Sequence, residues 1–326
     1  MKKVKYGILS TARISRKHIS AAAKTTNSEV IAIGSRNINT ANKFANELGI
    51  PRAYGSYEEL LSDKKIDAII NPLPNSMHCE WTVKAAKAGK HILCEKPFSV
   101  TVKEAELMIK EAEKNNVLVM EGFTHRFKPE VRFIKELLDS GKIGRVMKVN
   151  TELLYPIEDW ENDIRVKKEL GGGALLDCGC YCVSLIRYIL GKEPLYVQGF
   201  SSIRLPNNVD STFMGIMKFK DNTLGYFTAS QEMPFRLPLD VVTEKGFINL
   251  SNFFTGTTVS YNIDGVDYKK EFEEQDRFAI QMEHFSDCII KEKVPIFIPQ
   301  DARSNMVLIE ALKRSAREGR TIKVNK

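Results

Sequence analysis

From residue 4 to about 122 the chain alternates short apolar, β-branched runs with amphipathic stretches. The runs are Val4 to Leu9, Val30 to Gly34, Ile66 to Asn71, His91 to Glu95 and Val117 to Glu121. Between them lie Ile14 to Lys24, Thr40 to Leu48, Ser76 to Ala88 and Thr101 to Asn115, each with helical periodicity. Runs that are apolar on successive residues need cover on both faces, and a helix between each pair supplies it, so the pattern predicts a doubly wound parallel sheet of the α/β class. Ser56 with Glu59 and Thr101 with Glu104 have capping-box spacing, while Gly89 and Gly141 stand where helices should stop.

After residue 123 the pattern changes. A helix is expected over Glu130 to Ser140 and another over Ala174 to Leu190, following Gly171-Gly172-Gly173. Turn residues at Asp221-Asn222, Glu244-Lys245-Gly246 and Asp264-Gly265 then predict hairpins of an antiparallel sheet. Helices over Phe278 to Lys291 and Asp301 to Glu318 and a strand over Thr321 to Val324 close the chain. At 326 residues the chain exceeds what one core usually supports. The expectation is a domain at 1–122 and an α+β domain with a mostly antiparallel open sheet at 123–326.

Composition narrows the function classes. The chain has a net charge of +7, but its basic pairs, such as Lys64-Lys65, Lys167-Lys168 and Lys269-Lys270, are scattered among acidic residues. That argues for a solvated surface with no nucleic-acid partner, and a mild positive field suits a phosphate-bearing cofactor. No run of about eighteen apolar residues and no signal-peptide pattern occurs, so no membrane association and a cytoplasmic location are expected. The six cysteines form no Cys-x-x-Cys pair. Cys178, Cys180 and Cys182 are two apart on a helix, where neighbours point about 200° apart, so no metal site is expected.

Strand ends carry the candidate ligand contacts, because open parallel sheets bind ligands at the carboxyl edge. Val4 to Leu9 runs into Ser10-Thr11-Ala12-Arg13-Ile14-Ser15, where a dinucleotide-binding fold places its Gly-x-Gly-x-x-Gly turn. Ser10, Ala12 and Ser15 replace the glycines, yet all are small. The second strand ends in Ser35-Arg36. Arginine there suits a 2′-phosphate and favours NADP over NAD, though a surface arginine at a strand end is also common. Later strand ends present Asn71, Pro72, Leu73, Asn75 and His78, then Glu95 and Lys96.

The order of Asn71-Pro72-x-Pro74-Asn75-x-x-His78, Gly89-Lys90-His91, Glu95-Lys96-Pro97 and Gly122-x-x-x-Arg126 resembles the Gfo/Idh/MocA oxidoreductase family. Arg165, Gly171 to Asp177 and Gly319 to Val324 extend the resemblance over essentially the whole chain. The substituted glycine turn is most similar to the dihydrodiol and D-xylose dehydrogenase branch, in which Ser10 replaces a usual glycine.

The resemblance implies hydride transfer between NAD(P) and a CH–OH or carbonyl carbon of a small sugar, polyol or dihydrodiol. Such chemistry needs a positioned base for the hydroxyl proton. The resemblance assigns the roles to Lys96 and Tyr181. A nearby ammonium favours the phenolate of a tyrosine, whose ordinary pKa is near 10. Asp177 is four residues from Tyr181 and is expected on the same helix face, either binding substrate or orienting Tyr181. Arg126 and Arg165 are candidates for clamping cofactor or substrate, with ordinary salt bridges as the alternative. Two other readings stay open on the same scaffold: a dinucleotide-binding regulator without turnover and a dinucleotide-dependent glycosidase. A homodimer is expected through the strands Thr212 to Phe219 and Leu224 to Ser230, because too few helices follow them to cover both sheet faces.

Overall fold

The computed structural model describes residues 2–324 and divides into two compact units. One runs to Thr124 and takes in Asp276–Arg303; the other comprises His125–Gln275 and the chain from Ser304 onward.

In the first unit, β1 (Val4–Leu9), α1 (Ser15–Ala23), β2 (Ser28–Gly34), α2 (Ile38–Leu48), β3 (Arg52–Tyr54), α3 (Tyr57–Ser62), β4 (Ala68–Asn71), α4 (His78–Lys87), β5 (His91–Cys94), α5 (Val102–Lys114) and β6 (Val119–Glu121) follow one another. The strands are parallel in the order β3-β2-β1-β4-β5-β6. Direction of travel reverses between β1 and β4, and a crevice at the carboxyl end of such a switch point is where this architecture receives ligands. All four residues of β4 are buried, as both-face coverage requires.

Both predicted caps form. Ser56 and Thr101 accept the Glu59 and Glu104 N–H groups at 3.1 and 3.2 Å. The glutamates reach back one residue further than a capping box would, to the Gly55 and Val100 N–H groups. The strand β3 was not foreseen from the sequence, and of helix α3 only the start capped by Ser56 was. Arg52-Ala53-Tyr54 is only three residues long, lacks an apolar run and lies at the sheet edge, where β2 alone pairs with it.

The second unit contains α6 (Pro129–Asp139), β7 (Val146–Leu154), α7 (Cys180–Leu190), β8 (Tyr196–Arg204), β9 (Val209–Lys218), β10 (Leu224–Ser230), β11 (Leu239–Thr243), β12 (Gly246–Leu250), β13 (Thr258–Ile263) and β14 (Val266–Glu271). The chain then continues as α8 (Arg277–Ile290), α9 (Pro299–Glu318) and β15 (Ile322–Lys323). The large sheet has the order β14-β13-β12-β11-β7-β10-β9-β8-β15. It is antiparallel except where β7 and β10 run parallel. The three expected hairpin turns join β9 to β10, β11 to β12 and β13 to β14, with Asn222, Asp264 and Gly265 at positive φ.

The division differs from a single boundary near residue 122, because α8 returns to the first unit. Ser286 on α8 bonds the Tyr6 hydroxyl at 2.7 Å and the Ser28 hydroxyl at 2.8 Å. Asn27 donates to the Glu283 carbonyl at 2.9 Å. Sequence periodicity finds a helix but not the sheet it packs on, so this return was not legible.

Candidate functional site

At the carboxyl edge of the parallel sheet, the turn between β1 and α1 is held by hydroxyls. Ser10 accepts the Ala12 N–H at 3.1 Å, and Ser15 donates to the Ser10 carbonyl oxygen at 2.8 Å. Ser10, Thr11, Ala12 and Ile14 are partly exposed and Arg13 is exposed, leaving this turn accessible to a ligand. Ser35 is buried and accepts the Asn37 N–H at 3.3 Å. Arg36 is exposed and lines a groove with Asn37, Ile38, Asn39, Gly55 and Glu59. Burial raises the Tyr57 hydroxyl pKa, and the Arg36 charge opposes that rise.

Asn71 and His78 shape the edge from within. Both are 0% exposed. The Asn71 amide donates to the His78 carbonyl and to Thr82, each at 3.2 Å. The His78 ring lies between two carbonyl oxygens, those of Leu73 and Pro97, each 2.8 Å from one ring nitrogen. Burial lowers its imidazole pKa although the two carbonyls favour the proton. His78 therefore ties the loop after β4 to the loop after β5, and Pro72 and Leu73 are buried beneath it. Asn75 remains partly exposed.

Glu95 is buried at the end of β5. Its Oε1 lies 2.8 Å from His18 Nε2, and its Oε2 accepts the Lys96 N–H at 3.2 Å. Burial alone would raise this carboxyl, but His18 and the Lys96 charge hold it below its ordinary value. Lys96 itself is partly exposed. Sequence reading missed His18; its position one turn after Ser15, on the same face of α1, was the available signal.

In the second unit, Asp177 lies in a π-helical turn, Leu175–Gly179, that leads into α7. This wider turn replaces the regular helix expected from Ala174, a departure frequent at functional sites. Gly172 and Gly173 are required before it. A Cβ on Gly173, at φ +113°, would lie 2.2 Å from Asp210 Oδ1, and one on Gly172 would lie 2.6 Å from the Arg165 carbonyl oxygen. Asp210 accepts the Leu175 N–H at 2.6 Å, and burial pushes its carboxyl up to about 6.

The Asp177 carboxylate accepts hydrogen bonds from the Tyr155 hydroxyl and, at 3.0 Å, from the Gln231 amide. Arg165 donates to Tyr155 at 3.0 Å and to Asp163 at 2.8 Å. Burial and the Asp177 charge raise the Tyr155 hydroxyl pKa strongly, so Tyr155 stays a donor to that carboxylate. Tyr155 and Gln231 were not singled out from sequence.

Tyr181 is partly exposed at the start of α7. Its ring packs edge-on against His125 and Phe254, with centroids 5.4 and 4.9 Å away. Arg126 is buried, with Nε 2.8 Å from Ser184 Oγ and Nη2 3.3 Å from the Ser184 carbonyl. It anchors the helix that carries Tyr181.

Comparison with known proteins agrees with this architecture. Residues 4–123 match the sequence profile of an oxidoreductase family with an NAD-binding Rossmann fold, and residues 131–249 that of the GFO/IDH/MocA C-terminal domain. D-xylose 1-dehydrogenase (NADP(+)) 2 of Haloferax volcanii is 32% identical, over 98% of this chain and 99% of its own. Trans-1,2-dihydrobenzene-1,2-diol dehydrogenase of Xenopus laevis is 30% identical over 88% of this chain and 89% of its own. Among solved structures, the aldose-aldose oxidoreductase of Caulobacter crescentus complexed with glycerol superposes with a TM-score of 0.92. It is 27% identical and covers 99% of this chain and all of its own.

Proposed function

The chain belongs to the Gfo/Idh/MocA oxidoreductase family, and on that premise we propose that it is an NAD(P)-dependent dehydrogenase or reductase acting on the CH–OH or carbonyl group of a small sugar, polyol or dihydrodiol. The observation that carries the reading is the start of α1 at the switch point between β1 and β4. It has neither a side-chain cap nor an acidic residue in its first turn. In the same unit α2, α3, α5 and α8 are capped by Asn37, Ser56, Thr101 and Asp276, while α4, which also lacks a side-chain cap, has Glu80 in its first turn. An uncapped, acid-free helix start presents partial positive charge to a pyrophosphate.

A nicotinamide bound there would supply or accept the hydride. Ser10 to Ile14 face the pyrophosphate in this reading, while Ser35 and Arg36 form the ribose end, where Arg36 favours the 2′-phosphate of NADP. Asn71, Pro72, Leu73 and His78 set the backbone around Asn75, and Glu95 fixes the Lys96 peptide. Tyr181 moves the substrate hydroxyl proton, with Lys96 as the cation that favours its phenolate form. Asp177, held by Tyr155 and Gln231, serves substrate hydroxyls, and Arg165 steadies that carboxylate through Tyr155. Arg126 acts by seating α7. Having both Lys96 and Tyr181 disfavours the regulator reading, and tyrosine in place of histidine disfavours the glycosidase.

Two further parts belong to the reading. A homodimer is supported by the outward face of the large sheet, where Phe200, Met214, Ile216, Leu224, Val242 and Phe247 are exposed in adjoining registers. A cytoplasmic location is supported by six free, buried cysteines. Calorimetric titration with NADPH and NADH tests the cofactor assignment: binding with NADPH the tighter is expected, and no binding of either would refute it.

A further inference from the structure

The turn between β1 and α1 is closed by its own side chains. Ser10 has φ +133°, a region in which a Cβ is crowded and only glycine sits without penalty. Its hydroxyl does what glycine could not. It accepts the Ala12 N–H at 3.1 Å. Buried Ser15 adds a bond from its hydroxyl to the Ser10 carbonyl oxygen at 2.8 Å, and its N–H reaches the Ala12 carbonyl oxygen at 2.9 Å. The strained serine is thus retained with compensation, because its oxygen satisfies a backbone donor that would otherwise face solvent or ligand.

That donor belongs to the group of turn N–H bonds that receive pyrophosphate oxygens in this architecture. We propose that Ser10 is an internal competitor for the cofactor: its hydroxyl occupies the Ala12 N–H in the free protein and yields it when a dinucleotide binds. The inference rests on the dinucleotide reading above. Two consequences follow from it. The turn is already shaped before binding, and the affinity is lower than a glycine would allow, since one hydrogen bond is exchanged instead of gained.

The test is calorimetric titration of NADPH and NADH into the full chain and into Ser10→Gly and Ser10→Ala, together with thermal melts without cofactor. Both variants are expected to bind about three- to tenfold more tightly, the net worth of one backbone hydrogen bond. Ser10→Ala should melt below Ser10→Gly, because alanine keeps a Cβ at positive φ without the hydroxyl that offsets it. Unchanged or weaker binding by both variants would overturn the inference, marking the hydroxyl as a bystander or a direct phosphate ligand. Failure of all three proteins to bind either dinucleotide would instead remove the cofactor reading and this inference with it.

Discussion

The two sheets of this molecule solve the burial problem differently. The parallel sheet is wrapped by helices, and its candidate ligand contacts collect at one edge, where strand ends meet helix starts. The nine-stranded sheet has an inner face with Phe213 and Phe227, on which Ile186 of α7 packs, while its outer face presents Phe200, Met214 and Ile216 to solvent in the isolated chain. In an α/β unit the same connections that complete the fold also create a ligand edge. A mostly antiparallel sheet gains its covering face only from elsewhere. The first unit therefore carries cofactor recognition in this account, and the second carries proton chemistry, substrate recognition and assembly.

This division of labour is broken most sharply by Tyr181→Phe. Removing one hydroxyl from a ring held by His125 and Phe254 should leave fold and cofactor affinity intact while turnover falls about a hundredfold or more. Near-native kcat would show that the second unit does not supply the proton-transfer group. Lys96→Met, at the edge of the parallel sheet, should reduce turnover and also weaken the cofactor. A variant that lowers kcat alone would blur the separation of the two units.

The bare sheet face is next in expected effect. Met214→Glu together with Ile216→Lys places charges in the middle of the outward apolar surface, and burying them at an interface costs several kcal/mol, on the order of 3 or more. Light scattering at micromolar concentration should report a dimer for the natural chain and a monomer for the variant. A natural chain that is already monomeric would mean that this face needs no second copy.

A smaller effect is expected at the other sheet's edge. Arg36→Asp should weaken NADP by about tenfold or more and spare NAD, because a carboxylate repels the 2′-phosphate but accepts from a ribose hydroxyl. Titrations in which both cofactors weaken equally would deny Arg36 that discriminating role.

The smallest predicted effect concerns pH. Asp210 has a carboxyl raised from 3.8 to about 6 by burial, so the folded state prefers its protonated form. Its stabilising contribution is complete below pH 3.8 and is lost as pH rises through about 6. Asp210→Asn keeps an acceptor for the Leu175 N–H without the buried charge. Thermal melts should find the variant more stable by on the order of 1 kcal/mol at pH 7 and no more stable at pH 4. A gain that does not change with pH would separate Asp210 from this titration.

The two halves also differed in what the sequence disclosed. The helices and strands around Val4 to Leu9 and Thr101 to Asn115 announce themselves through periodicity and caps, because local physics decides them. The three-residue strand at Arg52, the return of α8 to the first unit and the π turn at Asp177 depend on long-range packing and on what a neighbouring backbone permits. Site residues divide the same way. Lys96, Tyr181 and Asp177 are marked by motif, whereas Tyr155 and Gln231 carry no local pattern and, like His18 one turn after Ser15, become visible through the carboxylates they bind. Asn71 and His78 were read as ligand contacts because they stand at a strand end; their side chains bond to the protein's own backbone and brace the loops there.

The central claim is that the family scaffold in this chain performs hydride transfer on a CH–OH carbon. Its most direct test is to mix the purified protein with NADP⁺ or NAD⁺ and a panel of aldoses, polyols and dihydrodiols, following the absorbance of reduced nicotinamide. A substrate-dependent rise that disappears in Tyr181→Phe is the predicted result. Dinucleotide binding without hydride transfer to any member of the panel, in either direction, would contradict the account and favour a regulator built on the same fold.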